Sequence, residues 1–339
     1  MAYLDRVNKK GGVHGRRIKL IVEDDQYEPE PAVQNTSRLI NEYQVFFLFD
    51  YVGTPTLTRV LPLLKYYESQ KIVNVAPLSG ASPQRKPPYD RYIFNIRASY
   101  QEEATALVRY LYSRGCRRIG FLGQADAFGK SGESEVTKAL AVYGLHLADS
   151  VSYRRNQSPD TRMSAQVDML KQAGSDSVII FGVFGPCAAF IRDARLSGWN
   201  VPIANVSSVS SYALLEELAL YRDARHPDLS ANLINCQVVP PPERTDLPLV
   251  ADFVKNGPAP TRRFIPLEGW LNAAVITEAL RRAGPKPSRE KFAAAMESLG
   301  DWDPGIGVKL RFSKSSHQGM HKVWLTVSKN GRWESVDQP

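Results

Sequence analysis

RIGFL at 118–122, SVIIF at 177–181 and PIANV at 202–206 are apolar runs of strand length. Patterns of helical periodicity lie between them, at 132–143 and 186–197. Continuous apolar strands indicate burial on both faces, and strands that alternate with helices are typical of a parallel sheet covered by helices on both sides. This stretch therefore predicts an α/β domain built around a parallel sheet.

The same rhythm precedes this stretch, which predicts a second α/β lobe. Strand patterns occur at 17–22, 45–49 and 72–75, separated by helical periodicity. The three prolines at 240–242 break the rhythm and mark a crossing or a linker. Helices follow, and residues 307–336 change to the period-two pattern of strands.

Composition excludes several classes of protein. The 339 residues carry a formal net charge of +8, but the excess is spread along the chain, so a solvated basic surface is favoured over nucleic-acid binding. No apolar run approaches the roughly 18 residues of a membrane span. The three cysteines are far apart and form no metal or redox motif.

No motif predicts catalysis, a cofactor or a metal site. GQADAFGKS at 123–131 is similar to a phosphate-binding loop, but five residues separate its glycines where the motif has four. His317 and His321 are four residues apart, yet they lack the glutamate that zinc proteases use as a base. We therefore expect no enzyme activity.

Two loops at the ends of predicted strands are better candidates for a site. DYVGTPT at 50–56 and APLSGAS at 76–82 are small, hydroxylated and glycine-bearing, and the first leads into a helix. Ligands of open α/β sheets bind beyond the carboxyl ends of the strands, and free N–H groups at a helix N-terminus suit a carboxylate. Ordinary turn and capping chemistry is the alternative explanation for each loop alone.

These loops belong to a longer series of motifs, in a specific order and spacing. The series is NKKGGVHGRRI at 8–18, DDQYEP at 24–29, YVGTPT at 51–56, PLSGA at 77–81, FNIRASY at 94–100, DAFG at 126–129 and EGW at 268–270. In this order the chain resembles the type I periplasmic solute-binding proteins of ABC importers, in the branch that binds leucine, isoleucine and valine. The resemblance covers nearly the whole chain.

The resemblance implies two Rossmann-like lobes of α/β structure that close on a ligand in a central cleft, like a flytrap, and no catalysis. The first lobe would contain residues 1–98 and 241–303, and the second would contain residues 99–240 and 304–339. Three crossings would join them, the last near residues 303–307. The implied partners are a small amino acid-like or carboxylate ligand and the membrane permease of an ABC importer, and the implied location is the periplasm.

The resemblance also implies the site residues. The ligand's α-carboxylate would bind the loops that contain Gly53 and Thr54 in one case and Ser79, Gly80 and Ala81 in the other. Aromatic side chains of the second lobe would cover the ligand. The remaining positions implied for the site are Tyr51, Tyr100, Phe128, Phe184 and Ser207; a core aromatic is the alternative for Phe184.

The sequence departs from the family in two places. Amino-acid binders of this family hold the ligand's ammonium with an acidic side chain after the strand that here ends at Val206, where this chain has serines at 207 and 208. Asp126 could substitute for it, or the ligand could be an aliphatic or aromatic carboxylate. The family's chains also begin further upstream, with an export signal and the first strand. We therefore expect a truncated or mis-assigned start and a first sheet that lacks an interior strand.

A protein of another class would also fit these residues. The same fold can bind an amide or an amino acid and report to a regulatory partner rather than to a permease. A ligand-sensing regulatory protein therefore remains the alternative to an importer's receptor.

Overall fold

The computed structural model describes residues 1–258 and 263–336. The chain divides into two compact units. The first unit contains Met1–Ser99 and Val239–Lys322, and the second contains Tyr100–Val238 and the residues from Val323 onward. Residues 304–322, which the sequence analysis assigns to the second lobe, lie in the first unit. They are tied there because Asn95 pairs with Gln318 and the ring of Phe312 packs against Phe94 at 5.7 Å.

The helices of the two units follow the predicted periodicity, apart from the helix at Ser211–Leu220, which was not predicted. They are α1 (Ala2–Lys9), α2 (Pro29–Asn41), α3 (Thr54–Tyr66), α4 (Tyr100–Ser113), α5 (Ala127–Ala141), α6 (Ser164–Gln172), α7 (Phe184–Leu196), α8 (Ser211–Leu220), α9 (Pro248–Asn256), α10 (Phe264–Ala283) and α11 (Arg289–Glu297). Proline in the first turn of α2, α3 and α9 suits a helix start, because its missing N–H would have no intrahelical partner there.

The strands form one sheet in each unit. They are β1 (Leu48–Phe49), β2 (Asn74–Val75), β3 (Ile93–Phe94), β4 (Ile119–Gln124), β5 (Ser150–Tyr153), β6 (Ser177–Phe181), β7 (Ile203–Asn205), β8 (Leu233–Gln237), β9 (Trp324–Lys329) and β10 (Arg332–Val336).

The second unit contains a seven-stranded sheet of order β10-β9-β8-β7-β6-β4-β5. Strands β4 to β8 pair in parallel, whereas β9 is antiparallel to β8 and to β10. Every residue of β4, β6, β7 and β8 is buried, as expected of strands with helices on both faces. The parallel order places the carboxyl ends of β4, β6 and β7 at one edge.

The first unit contains the parallel sheet β1-β2-β3. Its core includes Leu48, Leu57, Leu61 and Leu64, all at most 2% exposed, beside the apolar face of α2. The predicted parallel arrangement of the two strands before the candidate loops is confirmed, with Leu48 opposite Asn74 and Phe49 opposite Val75.

The strand predicted at 17–22 is wrong. Residues 17–21 and 45–49 both line a mostly apolar groove of about 290 Å³. A gap, rather than a hydrogen-bonded neighbour, therefore lies beside residues 17–21, and an apolar pattern without a pairing strand forms no ladder. Within the strand pattern predicted over 307–336, residues 309–312 form no strand and make only an isolated bridge between Trp302 and Leu310.

Two further features bear on the predicted chemistry. Cys116, Cys187 and Cys236 are free and buried. Within the described residues, no helix is long and apolar enough to cross a membrane.

Candidate ligand-binding site

The two strand-end loops of the first unit lie side by side. A bridge between Val52 and Leu78 continues the parallel pairing of β1 and β2 beyond their ends. The N–H of Leu78 donates to the carbonyl of Tyr51 at 2.7 Å, and the N–H of Gly53 donates to the carbonyl of Leu78 at 3.2 Å. The loops at 50–56 and 76–82 are therefore joined by their backbones.

This pairing brings two of the expected site residues into contact. The hydroxyl oxygens of Thr54 and Ser79 are 2.8 Å apart, and both side chains are buried. Because one hydroxyl must donate to the other, the pair can offer at most one O–H to a ligand. Thr54 is also the first residue of α3, where the partial positive charge of the helix dipole favours an anion.

Gly53 permits this start of α3 for two reasons. Its φ is +100°, a conformation that side chains of L-residues rarely adopt, and a Cβ added to it would lie 2.1 Å from Cε2 of Tyr27. Glycine at position 53 thus lets the ring of Tyr27 approach the loop. The conformation of this loop therefore requires glycine at position 53, and the ligand contact that the resemblance implies stays a prediction.

Hydrogen bonds from the following residues fix the second loop. Gly80 and Ala81 are buried. The carbonyl of Ser79 accepts hydrogen bonds from Gln84 Nε2 at 2.8 Å and from the guanidinium of Arg85 at 3.2 Å. The N–H of Ala81 also lies 3.4 Å from the hydroxyl oxygen of Ser79. These contacts hold the backbone that follows Ser79 in one conformation.

Tyr51 is directed toward α2. Its hydroxyl is 2.7 Å from Oγ1 of Thr36, and Thr36 donates its own O–H to the carbonyl of Ala32. Tyr51 is therefore the donor in the pair. Burial raises the pKa of Tyr51 to about 12. A ligand contact of Tyr51 stays a prediction, and its hydroxyl already serves the packing of α2 on the sheet.

A buried charged cluster in the first unit was not predicted as part of the site. The carboxylate of Asp50, at the end of β1, accepts a hydrogen bond from Asn272 Nδ2 at 3.0 Å. Glu268 lies one turn earlier on α10, with Oε1 at 3.4 Å from Nε of Arg97. Burial raises the pKa of Asp50 to about 6, with the negative charge of Glu268 as the next cause. Burial likewise raises the pKa of Glu268, against the opposing effect of Arg97.

In the second unit, Tyr100 and Phe128 belong to one aromatic cluster. Their ring centroids are 5.4 Å apart, and the ring of Phe181 at the end of β6 lies 5.3 Å from Tyr100 and 5.9 Å from Phe128. Phe128 is 2% exposed in this structure. The structure thus brings together two of the aromatic residues that the resemblance implies, and a covering role for them stays a prediction.

Asp126 is engaged as the N-cap of α5. Its carboxylate accepts hydrogen bonds from the N–H of Phe128 at 2.9 Å and from Gln124 Nε2 at 2.6 Å, and it lies 3.5 Å from the guanidinium of Arg155. A carboxylate with a cap and a cation already on it is a poor partner for a second cation. The structure gives Asp126 a capping role in α5, and its role as the substitute for the family's acidic residue stays a prediction.

The loops after β6 and β7 are joined to each other. The hydroxyl of Ser208 donates to the carbonyl of Gly182 at 3.0 Å, and the N–H of Val183 donates to the hydroxyl of Tyr153 at 3.1 Å. Phe184 begins α7 directly after this junction and is half-buried. The structure therefore places Phe184 at the same strand ends as Ser207.

Ser207 is held by a residue that the sequence analysis missed. Its N–H donates to Oε2 of Glu103 at 2.7 Å, and its hydroxyl donates to Oε1 of Glu103 at 2.9 Å. Glu103 lies in the first turn of α4, and both residues are buried. A glutamate in a helical pattern is ordinarily a surface residue, and nothing near it in the chain indicates a partner 104 positions away.

The described residues contain no group of three or more side chains that could hold a metal ion. Instead, the first unit carries the hydroxyls of Thr54 and Ser79 at its strand ends, and the second unit carries aromatic rings and serine hydroxyls at its own strand ends. Strand-end loops of α/β sheets are where small polar solutes bind.

Comparison with known proteins identifies the family. Residues 1–332 match the model of the family described as Periplasmic binding protein, and the chain belongs to that family. The leucine-, isoleucine-, valine-, threonine- and alanine-binding protein of Pseudomonas aeruginosa is 22% identical over 87% of this chain and 75% of its own length. The resemblance drawn from the motifs is confirmed.

Solved structures agree with the fold. A possible leucine/isoleucine/valine-binding protein from Rhodopirellula baltica SH 1 is 31% identical, with a TM-score of 0.88 over 99% of this chain and 89% of its own. A branched-chain amino acid ABC transporter protein from Thermus thermophilus with bound valine has a TM-score of 0.87 at 22% identity, over 100% of this chain and 89% of its own. The predicted periplasmic binding protein type I fold is therefore confirmed.

Proposed function

We propose that this chain is the solute-binding receptor of an ABC importer. It would capture a branched-chain or other hydrophobic amino acid between its two units, in the periplasm, and deliver it to a membrane permease. Membership of the Periplasmic binding protein family and the similarity to a leucine-, isoleucine- and valine-binding relative support this proposal.

The observation that carries the proposal is the joined pair of loops in the first unit. The Thr54–Ser79 hydroxyl pair lies at the N-terminus of α3, where both an O–H and the helix dipole favour a carboxylate. Aromatic residues on the second unit would cover the apolar side chain. Contacts from both units would then favour the closed form through their differential affinity for it.

The test is calorimetric titration of the purified chain with leucine, valine, phenylalanine and the matching carboxylates that lack the amine. Ligand at 100 times its Kd should also stabilise the chain by about 2.7 kcal/mol in a thermal melt. At least one of Ser79→Ala and Thr54→Val should weaken binding about tenfold to hundredfold, because the hydroxyl that donates to the ligand's carboxylate is lost.

Thr277→Val is the matched control, since Thr277 is a buried hydroxyl of the same unit that donates only to the helix carbonyl of Ala273. It should leave affinity unchanged. Unaltered affinity in both loop variants would refute the assigned site, and failure of every amino acid to bind would refute the proposed ligand class.

A further inference from the structure

The first unit contains a small polar cavity outside the loops at 50–56 and 76–82. Its volume is about 100 Å³, which is about three times the volume of one water molecule in the liquid. It is lined by Arg85, Asp90, Arg91, Asn95 and residues 314–318, and every one of these side chains is polar or charged. Such a lining suits a small polar ligand and not an apolar one.

Positive charge predominates in this polar cavity. Arg85, Arg91 and Lys314 line it, together with one carboxylate, that of Asp90. Arg91 pairs with Glu68 at 2.9 Å, whereas no acidic side chain in the described part of the chain forms an ion pair with Lys314. Because these side chains leave one formal positive charge in excess, the cavity attracts an anion.

Three buried atoms that can accept hydrogen bonds belong to side chains that line the same cavity. They are Nδ1 of His317, Oδ1 of Asn95 and Oε1 of Gln318, and none of them has a hydrogen-bond partner within the described residues. Asn95 is 1% exposed, and the side chain of His317 is 8% exposed. Since a buried acceptor without a donor is costly, a ligand that brings hydrogens into this cavity gains affinity.

Neighbouring groups fix two of these atoms as acceptors. Nε2 of His317 lies 3.4 Å from Oε1 of Glu297, so the hydrogen of the neutral ring belongs on Nε2, and Nδ1 keeps a lone pair. Nε2 of Gln318 donates to the carbonyls of Arg97 at 2.8 Å and Met320 at 2.5 Å. Both amide hydrogens are thereby used, and Oε1 of Gln318 can only accept.

We infer that the polar cavity is a binding site for an oxyanion that carries a hydrogen, of which inorganic phosphate is the simplest. The cations attract the negative oxygens, and the unpartnered acceptors require a ligand that also donates. Phosphate meets both demands because it keeps at least one hydrogen at neutral pH, whereas sulfate keeps none. This inference does not rest on the proposed function.

The experiment is calorimetric titration of the whole chain with phosphate and, separately, with sulfate, in a chloride buffer of constant ionic strength at neutral pH. Phosphate should bind at least about tenfold more tightly than sulfate, because sulfate leaves the buried acceptors without a donor. Equal affinities would overturn the inference. Failure of phosphate to bind, by calorimetry and by melting temperature, would overturn it as well.

Lys314→Ala tests whether the ion lies in the cavity. It should weaken phosphate binding about threefold to tenfold, because a hydrogen bond from a cation to the ligand is lost. Lys309→Ala is the matched control, since Lys309 is also exposed, lies in the same unit and does not line the cavity. It should leave phosphate affinity unchanged. The inference fails if the two lysine variants bind phosphate equally well.

Thr54→Val tests the other place where an anion could bind. Phosphate at the start of α3 would lose affinity in this variant, whereas phosphate in the polar cavity should bind as before. Weakened phosphate binding in Thr54→Val would move the ion to the strand-end loops and overturn the inference.

His317→Phe tests the role of the acceptors. Phenylalanine keeps a ring against Phe94, whose centroid lies 3.9 Å from that of His317, and removes Nδ1. The ratio of phosphate affinity to sulfate affinity should fall about threefold or more, whereas a merely structural defect would weaken both ions together.

Asp90→Asn gives a second variant in case His317→Phe does not fold, as judged by its melting curve. It replaces a carboxylate oxygen of the cavity lining with an N–H donor, so the ratio of the two affinities should again fall. An unchanged ratio in the variant that folds would overturn the inference.

Discussion

Gly53→Ala should destabilise the first unit by more than the conformational cost of a side chain at positive φ. Gly53 has a φ of +100°, and an alanine Cβ there would meet Cε2 of Tyr27 at 2.1 Å, well inside contact distance. An L-residue in this conformation costs about 1–3 kcal/mol, and the overlap adds about 1–3 kcal/mol. We therefore expect a loss of about 2–6 kcal/mol in the free energy of unfolding.

Gly11→Ala is the matched control, because Gly11 lies in the same unit with a φ of +96° and nothing within 4 Å of its added Cβ. It should show the conformational cost alone. Equilibrium urea unfolding followed by circular dichroism compares the two variants. The reasoning is refuted if Gly53→Ala costs no more than Gly11→Ala.

A double variant separates the two causes in Gly53→Ala. Removal of the ring in Tyr27→Ala should restore part of the stability that Gly53→Ala loses, so the two substitutions should not be additive. Strict additivity of the two losses in urea unfolding would mean that Tyr27 is not the source of the strain.

Three further predictions follow from buried groups. Thr36→Val should cost about 1–3 kcal/mol in urea unfolding because it leaves the hydroxyl of Tyr51 without its acceptor, and adding Tyr51→Phe should recover much of that loss. Asp50 has a pKa raised to about 6, so the folded state binds its proton more tightly than the unfolded state. Melting curves should therefore show stability falling as the pH rises from about 4 to 6, with a smaller slope in Asp50→Asn. The three buried free cysteines should react with a thiol reagent only after denaturation, because burial raises the pKa of Cys187 and shields its sulfur.

The sequence predicted the parallel sheets because apolar runs and helical periodicity are local signals. The strand SVIIF at 177–181 is β6 without a residue of difference. Helix α8 and strand β8 were not predicted. Strand β8 was missed because its buried residues include the polar Asn235 and Gln237. Both amides donate to the hydroxyl of Ser211, at 2.8 Å and 2.5 Å. Polar groups can be buried when they are paired, and such pairing between distant residues leaves no local pattern.

Some residues of the candidate site could likewise be predicted from the sequence, and others could not. The small hydroxylated loops at Thr54 and Ser79 could be predicted, because turn residues after apolar strands are visible in sequence and parallel strands bring such loops to one edge. The buried charged residues of the two units could not be predicted. Arg97 and Glu268 are separated by 171 positions, and Glu103 reaches Ser207 over 104. These pairs depend on how helices pack on the sheet, which residue types alone do not determine.

The hydrogen-bond donors that the first unit can offer determine which group of a ligand binds there. The Thr54–Ser79 pair can offer a ligand one O–H at most, and it does so beside the positive end of α3, so this half of the site suits a carboxylate. An amide in place of the ligand's carboxylate removes the negative charge that the helix dipole favours, so leucinamide should bind far more weakly than leucine in a calorimetric titration. Equal affinity for the two would mean that the hydroxyl pair at the start of α3 does not govern recognition.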